Sequence, residues 1–429
     1  MIRARGHDPD EWPELLAELV PIDLDALAQQ TGAIRRRREI RSGSVLLRLL
    51  LGWTVAHMSL RNTVAWASES GVAHLTDEAL RKRFAQCESF LRTLVAHMLS
   101  VWIDVPSSLG RLLRIVDASM CPFVGPSGRT LRVHAVYDPV AARLTSVDVT
   151  SDTIGESIAH APHAPRDLVV ADRGLAHTAK LFEVATRGVA FLVRAHLPSV
   201  SMRDAAGATL TTRALLDAAR GGAREIPVWL PHKKGLLPAR LAIIPMAPER
   251  AAKAREKLRK QARKKSRTPT PLTLELAGYW CLLTNLPADH ADVATLCALY
   301  RLRWQIELFF KRCKSLLGLR TPPHASERLA KVGLLAYLFA AALIDGANAL
   351  ETPANDATIP ERKLWSLWRP FRRGVIDVLV TAMHAVARTA RRFQRARATA
   401  SLRERPRRRT YTLQRWLENA APTALMEDR

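Results

Sequence analysis

Tyr300, Arg303, Glu307, Lys311 and Lys314 recur at intervals of 3, 4, 4 and 3 within the stretch YRLRWQIELFFKRCKSLLGL. At about 100° per residue they fall in one helical stripe roughly 80° wide. A phenol, a guanidinium, one carboxylate and two ammonium groups in a line can hold a phosphate backbone and set one acid beside it. Two more acids share a context of their own: Asp117 follows LLRIV and Asp172 follows DLVVA. Each reads as the end of a short apolar strand passing into a polar turn. Side chains at the carboxyl ends of strands in an α/β sheet face the ligand crevice. Three converging carboxylates repel one another unless a cation sits between them. Mg²⁺, which prefers carboxylate, water and phosphate oxygens, is the natural one. Two such ions about 4 Å apart activate an attacking oxygen and stabilise a leaving oxygen on phosphorus. The plainer reading is a solvated helix laced by Arg303–Glu307 and Glu307–Lys311 pairs at i,i+4, with the aspartates serving as turn residues. Asp138 and Asp148 compete for the acidic roles.

The elements that must position these residues follow from the apolar patterning. Residues 1–105 read as helical. SLRNTVAWASES, Gly71 and LTDEALRKRFAQCESFLRTLVAHML read as helix–turn–helix, with Thr76 as N-cap, Asp77 and Glu78 in the first turn, and Arg81, Lys82 and Arg83 projecting. That second helix suits DNA reading or is an ordinary hairpin with a solvated face. From Leu112 the pattern changes. LLRIVDAS, RVHAVYD and RLTSVDVTS predict three antiparallel strands. DLVVADRG predicts a fourth strand, AHTAKLFEVATRG a helix stopped by Gly188, and AFLVRA a fifth strand.

Residues 196–285 interrupt that series, with strands expected in GATLTTRALL, REIPVWLP, ARLAIIPM and ELAGYWCLLTN. Between the last two lies Arg250–Arg267, with 10 Lys/Arg in 18 residues. It is expected to be a solvated, partly disordered arm. The stripe at 300–319 is expected to be one continuous helix. Residues 325–429 read as helical, with a second basic run at Arg388–Arg409.

Composition bounds the partners. The 429 residues are 48% hydrophobic and carry 65 Lys+Arg against 40 Asp+Glu, a net charge of +25. An excess of that size favours a polyanion, of which nucleic acid is the commonest large one. The five cysteines stand singly with no CxxC pair, so zinc and disulfides are not expected, and the reading is a reducing cytoplasm. The start carries no apolar signal segment. The longest apolar run, Val332–Ile344, is too short to span a bilayer and predicts a buried helix.

Tyr300-x2-Arg303-x3-Glu307-x6-Lys314 resembles the YREK signature of bacterial insertion-sequence transposases of the DDE type, with all four spacings matched. Asp117 in IVDASM, Ile154–Glu156 (IGE), Asp172 in VADRG and Tyr279–Pro287 (YWCLLTNLP) agree in order. Leu175 departs, standing where the family often has an aromatic. The resemblance covers roughly residues 105–320. It implies an α/β chain: a ribonuclease H-like catalytic domain (106–195 and 286–350) with a β-rich insertion (196–285), flanked by a helical N-terminal DNA-binding region (1–105) and a helical basic C-terminal region (351–429). It implies Asp117, Asp172 and Glu307 as catalytic metal ligands for two Mg²⁺, with Mn²⁺ substituting. Tyr300, Arg303, Lys311, Lys314 and Trp280 are then DNA contacts, Trp280 standing where the family uses a Trp against bases. The partners implied are double-stranded DNA (transposon ends and target) and a second copy of the chain in the DNA complex, with no membrane. The setting implied is cytoplasmic, on the nucleoid. Two rival readings use the same surface: a non-catalytic DNA-binding protein, and a metal-dependent nuclease without strand transfer.

Overall fold

Leu168, Val169, Val170 and Ala171 are all fully buried, as happens in a strand covered on both faces. In the computed structural model they form β4 (Asp167–Ala171), a central strand of one eight-stranded sheet. The structure describes Trp12, Leu16, Val20 and residues 22–100, 109–122, 130–140, 143–319 and 326–350. The C-terminal region 351–429, with the basic run Arg388–Arg409, lies outside the described residues. The other strands are β1 (Leu112–Pro122), β2 (Thr130–Asp138), β3 (Arg143–Ser151), β5 (Ala190–Arg194), β6 (Arg224–His232), β7 (Gly235–Pro245) and β8 (Tyr279–Thr284). Their order is β3-β2-β1-β4-β5-β8-β7-β6. The first three are antiparallel, as expected; β4 and β5 then run parallel to β1. β6 to β8 are antiparallel and extend the same sheet.

Alternation along the strands divides the core. Ile115, Leu168, Val170 and Leu192 belong to one apolar cluster, and Val116, Val169, Ala171, Phe191 and Val193 to the other. The first cluster packs under the N-terminal helices and the helices that follow β8. The second packs under α6 (Thr178–Thr186) and α7 (Thr212–Ala218). Helices thus cover both faces.

Ahead of the sheet come α1 (Leu24–Gln30), α2 (Gly43–Thr54), α3 (Leu60–Glu69), α4 (Asp77–Phe84) and α5 (Glu88–Ser100). Thr76 caps α4, its hydroxyl accepting from the Ala79 amide at 3.2 Å. The second helix expected in this region is two, because the chain turns at Ala85–Cys87. Two further expectations change. GATLTTRALL is no strand: Thr211 caps a helix there. Arg250–Arg267 is no loose arm either: Pro248–Arg263 is helix α8, with Ala251 buried and Arg255 donating to the Leu274 carbonyl at 3.1 Å. After the short α9 (Pro271–Leu276) and β8 come α10 (Val293–Leu302), α11 (Trp304–Arg312) and a π turn at Cys313–Leu317. The last described element, α12 (Glu327–Leu350), buries Val332, Leu334, Leu335, Leu338 and Phe339, as Val332–Ile344 predicted. No described helix is long and apolar enough to cross a membrane.

Candidate active site

Asp117 and Asp172 point from the same side of the sheet because of strand period. Ile115 and Val170 face the first apolar cluster, and the residue two further along each strand faces the same way. Val116 pairs in parallel with Ala171, so the next step places Asp117 beside Asp172 at about the 4.8 Å strand spacing. Asp117 does not end its strand as expected: β1 continues to Pro122 and pairs Asp117 with Ala135. Asp172 directly follows the end of β4 and leads into the single turn Arg173–Leu175.

Glu307 reaches the same face from α11, which Ile306, Phe309 and Phe310 bury against the sheet. The stripe is not on one unbroken helix. α10 stops at Leu302 and α11 starts at Trp304, so Arg303 is the junction residue. Its guanidinium stands among the three acids. Nη1 lies 3.6 Å from Oδ2 of Asp117, and Nη2 hydrogen-bonds Oε1 of Glu307. Tyr300 is buried, and its hydroxyl donates to Oδ1 of Asp172 at 3.0 Å. The Tyr300 ring packs against the Arg303 guanidinium and, edge on, against Trp280. Lys314 Nζ donates to the Met120 carbonyl at 3.4 Å, beside the site. Lys311 is exposed at the start of the last turn of α11.

The two aspartates titrate apart. Burial pushes the Asp117 carboxyl up to about 6, against the opposing pull of the Ala118 amide and Arg303, and the charges of Asp172 and Glu307 add to the rise. Burial also pushes Asp172 upward, but the Arg173 amide, Arg303, the Tyr300 hydroxyl and Arg194 together hold it below the usual carboxylate range. Burial, then the Asp172 charge, raises the Tyr300 phenol, so it stays a donor. Arg194 is set by the ladder: Ala171 pairs with Val193, which puts it next to Asp172. Its only sequence signal is a cation at the carboxyl end of a buried strand.

The competing acids have other partners. Asp138 is fully buried and pairs with Arg114 at 2.9 Å. Asp148 pairs with Arg92 of α5 and with His160. The rings of His134 and His160 lie 4.3 Å apart, tilted by 31°, and with Asp148 line a cavity of about 200 Å³ that opens beside Asp117. Periodicity gave no signal for that cavity. Leu175 also lines it and is buried.

A hard divalent cation fits this donor set in kind, since all three acids offer oxygen only. They do not close on a point. Among the described residues no three His, Cys, Asp or Glu side chains stand near enough together to hold a metal ion, and the cation now among the acids is Arg303.

Comparison with known proteins identifies the family. Residues 108–343 match the family described as Transposase DDE domain. InsL of insertion sequence element IS186A, from Escherichia coli (strain K12), is 34% identical over 349 residues, covering 79% of this chain and 94% of that protein. The transposase for insertion sequence element IS421, from Escherichia coli, is 34% identical over 350 residues with the same coverage.

Proposed function

Because this chain belongs to the insertion-sequence DDE transposases, we propose that it cuts and joins transposon ends by metal-dependent phosphoryl transfer at Asp117, Asp172 and Glu307. The observation that supports this most is the convergence of the three acids on one guanidinium from two neighbouring strands and a facing helix. When bound, two Mg²⁺ ions, or Mn²⁺ in their place, supply an activated attacking oxygen and a stabilised leaving oxygen on phosphorus. Asp117, Asp172 and Glu307 would hold them. Arg303, Lys311 and Lys314 hold the phosphates on either side of the scissile one. Tyr300 fixes the Asp172 carboxylate through its hydroxyl, at Oδ1. Trp280, edge on to Tyr300, is the candidate for contact with an unstacked base.

The order of β3-β2-β1-β4-β5, with its two parallel steps, supports a ribonuclease H-like reading of 106–195 and 286–350. Residues 196–285 are then the β-rich insertion that widens the sheet, and the helices within 1–105 form the DNA-binding region. The helical basic reading of 351–429 rests on sequence alone. Joining two DNA ends needs two active sites, so a homodimer on DNA in the cytoplasm, at the nucleoid, is part of the proposal.

Glu307→Gln is the test. Gln keeps size and helix propensity, and the cationic surface that binds DNA is untouched. Loss of one anionic ligand removes electrostatic stabilisation of the transition state, so Mg²⁺-dependent nicking and strand transfer should drop at least about a thousandfold. Gel-shift affinity for the element's ends should hold. A Gln variant that cleaves at near wild-type rate sinks the assignment. A wild-type chain that nicks but never joins its 3′-hydroxyl product to target DNA is a nuclease instead.

A further inference from the structure

We infer that Arg303 is a placeholder cation: it keeps the three acids apart in the DNA-free chain, and a DNA phosphate must draw it away before they can close on a metal. The inference rests on the metal-dependent reading above. It starts from position. Arg303 touches Asp117 and Glu307 together, and its charge also acts on Asp172. The acids are arranged around a planar fork, which spaces them more widely than a compact ion would, and the three do not stand near enough together to hold a metal ion.

The arrangement is also an incomplete one for Arg303. A guanidinium offers five N–H donors. Here the Asp117 contact is 3.6 Å, longer than a good hydrogen bond, and the buried Nε has no acceptor among the described residues. A phosphate presents several anionic oxygens in a geometry that matches the fork two bonds at a time, so it is the better partner. Arg303 can answer it locally. It lies at the junction of α10 and α11, its side chain is only 16% exposed, and its own rotatable stem is enough to swing the charge outward. Tyr300 stays behind, still bonded to Asp172.

The exchange has a chemical consequence. While the guanidinium sits among the acids, an incoming divalent cation meets a like charge and occupied ligand oxygens. Once a phosphate holds the guanidinium, the acids have lost their counter-charge and repel one another, which favours metal. Metal therefore assembles on the protein–DNA complex and not on the free chain.

Mn²⁺ binding to the full-length chain, read from the loss of the free-ion electron paramagnetic resonance signal, tests this without any turnover. Asp117→Asn/Asp172→Asn, titrated identically, gives the background from DNA and from other sites. Without DNA, Arg303→Gln should bind carboxylate-dependent Mn²⁺ at least about tenfold more tightly than wild type, because a like charge has gone. Arg303→Lys keeps a cation but not the fork, and should stay near wild type. Adding a duplex should tighten wild-type binding by a similar factor and leave Arg303→Gln little changed. The wild-type comparison with and without DNA stands even if a variant fails to fold. Equal affinity in wild type with and without DNA overturns the proposal while leaving the metal site intact. Absence of carboxylate-dependent Mn²⁺ binding under every condition overturns the metal reading itself, and this proposal with it.

Discussion

Asp117 and Asp172 stand side by side on parallel strands, yet their environments push them in opposite directions. That gives a test needing neither DNA nor metal. The folded value of Asp117, about 6, lies above its ordinary 3.8. Its contribution to stability is therefore present in acid and lost as pH rises through about 6, where a buried carboxylate must ionise. Asp117→Asn removes that burden. With a chelator present, the variant should be more stable than wild type at neutral pH, by at most about 3 kcal/mol, and the gain should vanish near pH 4. Asp172 is held below its ordinary value. It contributes stability above its unfolded value and loses it on acidification, so Asp172→Asn should be less stable than wild type at neutral pH. Denaturant midpoints across pH measure both, and two shifts of the same sign would refute the electrostatic account. The pair was legible in the sequence because each Asp follows a run of β-branched and aliphatic residues that could only be a buried strand. The Tyr300–Asp172 bond and the central place of Arg303 were not, because residue spacing reports angles about one helix and nothing about what faces it across the core.

The stripe that first marked Glu307 assumed a straight helix from 300 to 319. The chain breaks at Arg303 and ends in a π turn capped by left-handed Gly318. The apolar side still read correctly, since Leu302, Ile306, Phe309, Phe310, Cys313 and Leu317 are all buried. A break that keeps both halves on the same core leaves the apolar period nearly intact, so it gives no warning. The error at Arg250–Arg267 was different in kind. A run of Lys and Arg suggested a solvated arm, but Ala, Glu, Lys, Arg and Gln are strong helix formers, Pro248 suits the first turn, and Glu256 pairs with Lys260 at i,i+4. Charge says who the partner is; propensity says what shape meets it. Helix α8 thus presents Lys253, Lys257 and Arg259 as exposed cations on a regular scaffold. Replacing all three with Gln should weaken binding to any duplex alike. It should also flatten the slope of log K against log salt by roughly 0.9 for each phosphate that is no longer neutralised. An unchanged slope would mean that α8 faces away from DNA.

At the scale of the whole molecule, the sequence divided neatly into helical and sheet regions, but the core does not follow that division. One apolar cluster runs from Trp12 through α2 and α5 to β1, β4 and α12. Helix α12 packs on α2, on α5 and on β3, and α5 packs on β3 in turn. Arg92 of α5 adds a polar tie to Asp148 and to the Val149 carbonyl. Long-range packing of this kind is invisible to a window of neighbouring residues, which is why 1–105 read as a separable unit. Physically it means that the N-terminal helices and the strands bearing Asp117 and Asp172 share one apolar core and should unfold together. Leu335 in α12 is 1% exposed within that core. Leu335→Ala removes three buried carbons and leaves a cavity, a change that costs about 2–5 kcal/mol. If the core is shared, hydrogen exchange followed peptide by peptide should show the slowest amides of α2, α5, β1 and β4 losing protection by the same factor, since each opens only with the whole. Loss confined to the helical peptides would show instead that the sheet and its carboxylates stand on their own core, with the helices merely docked against them.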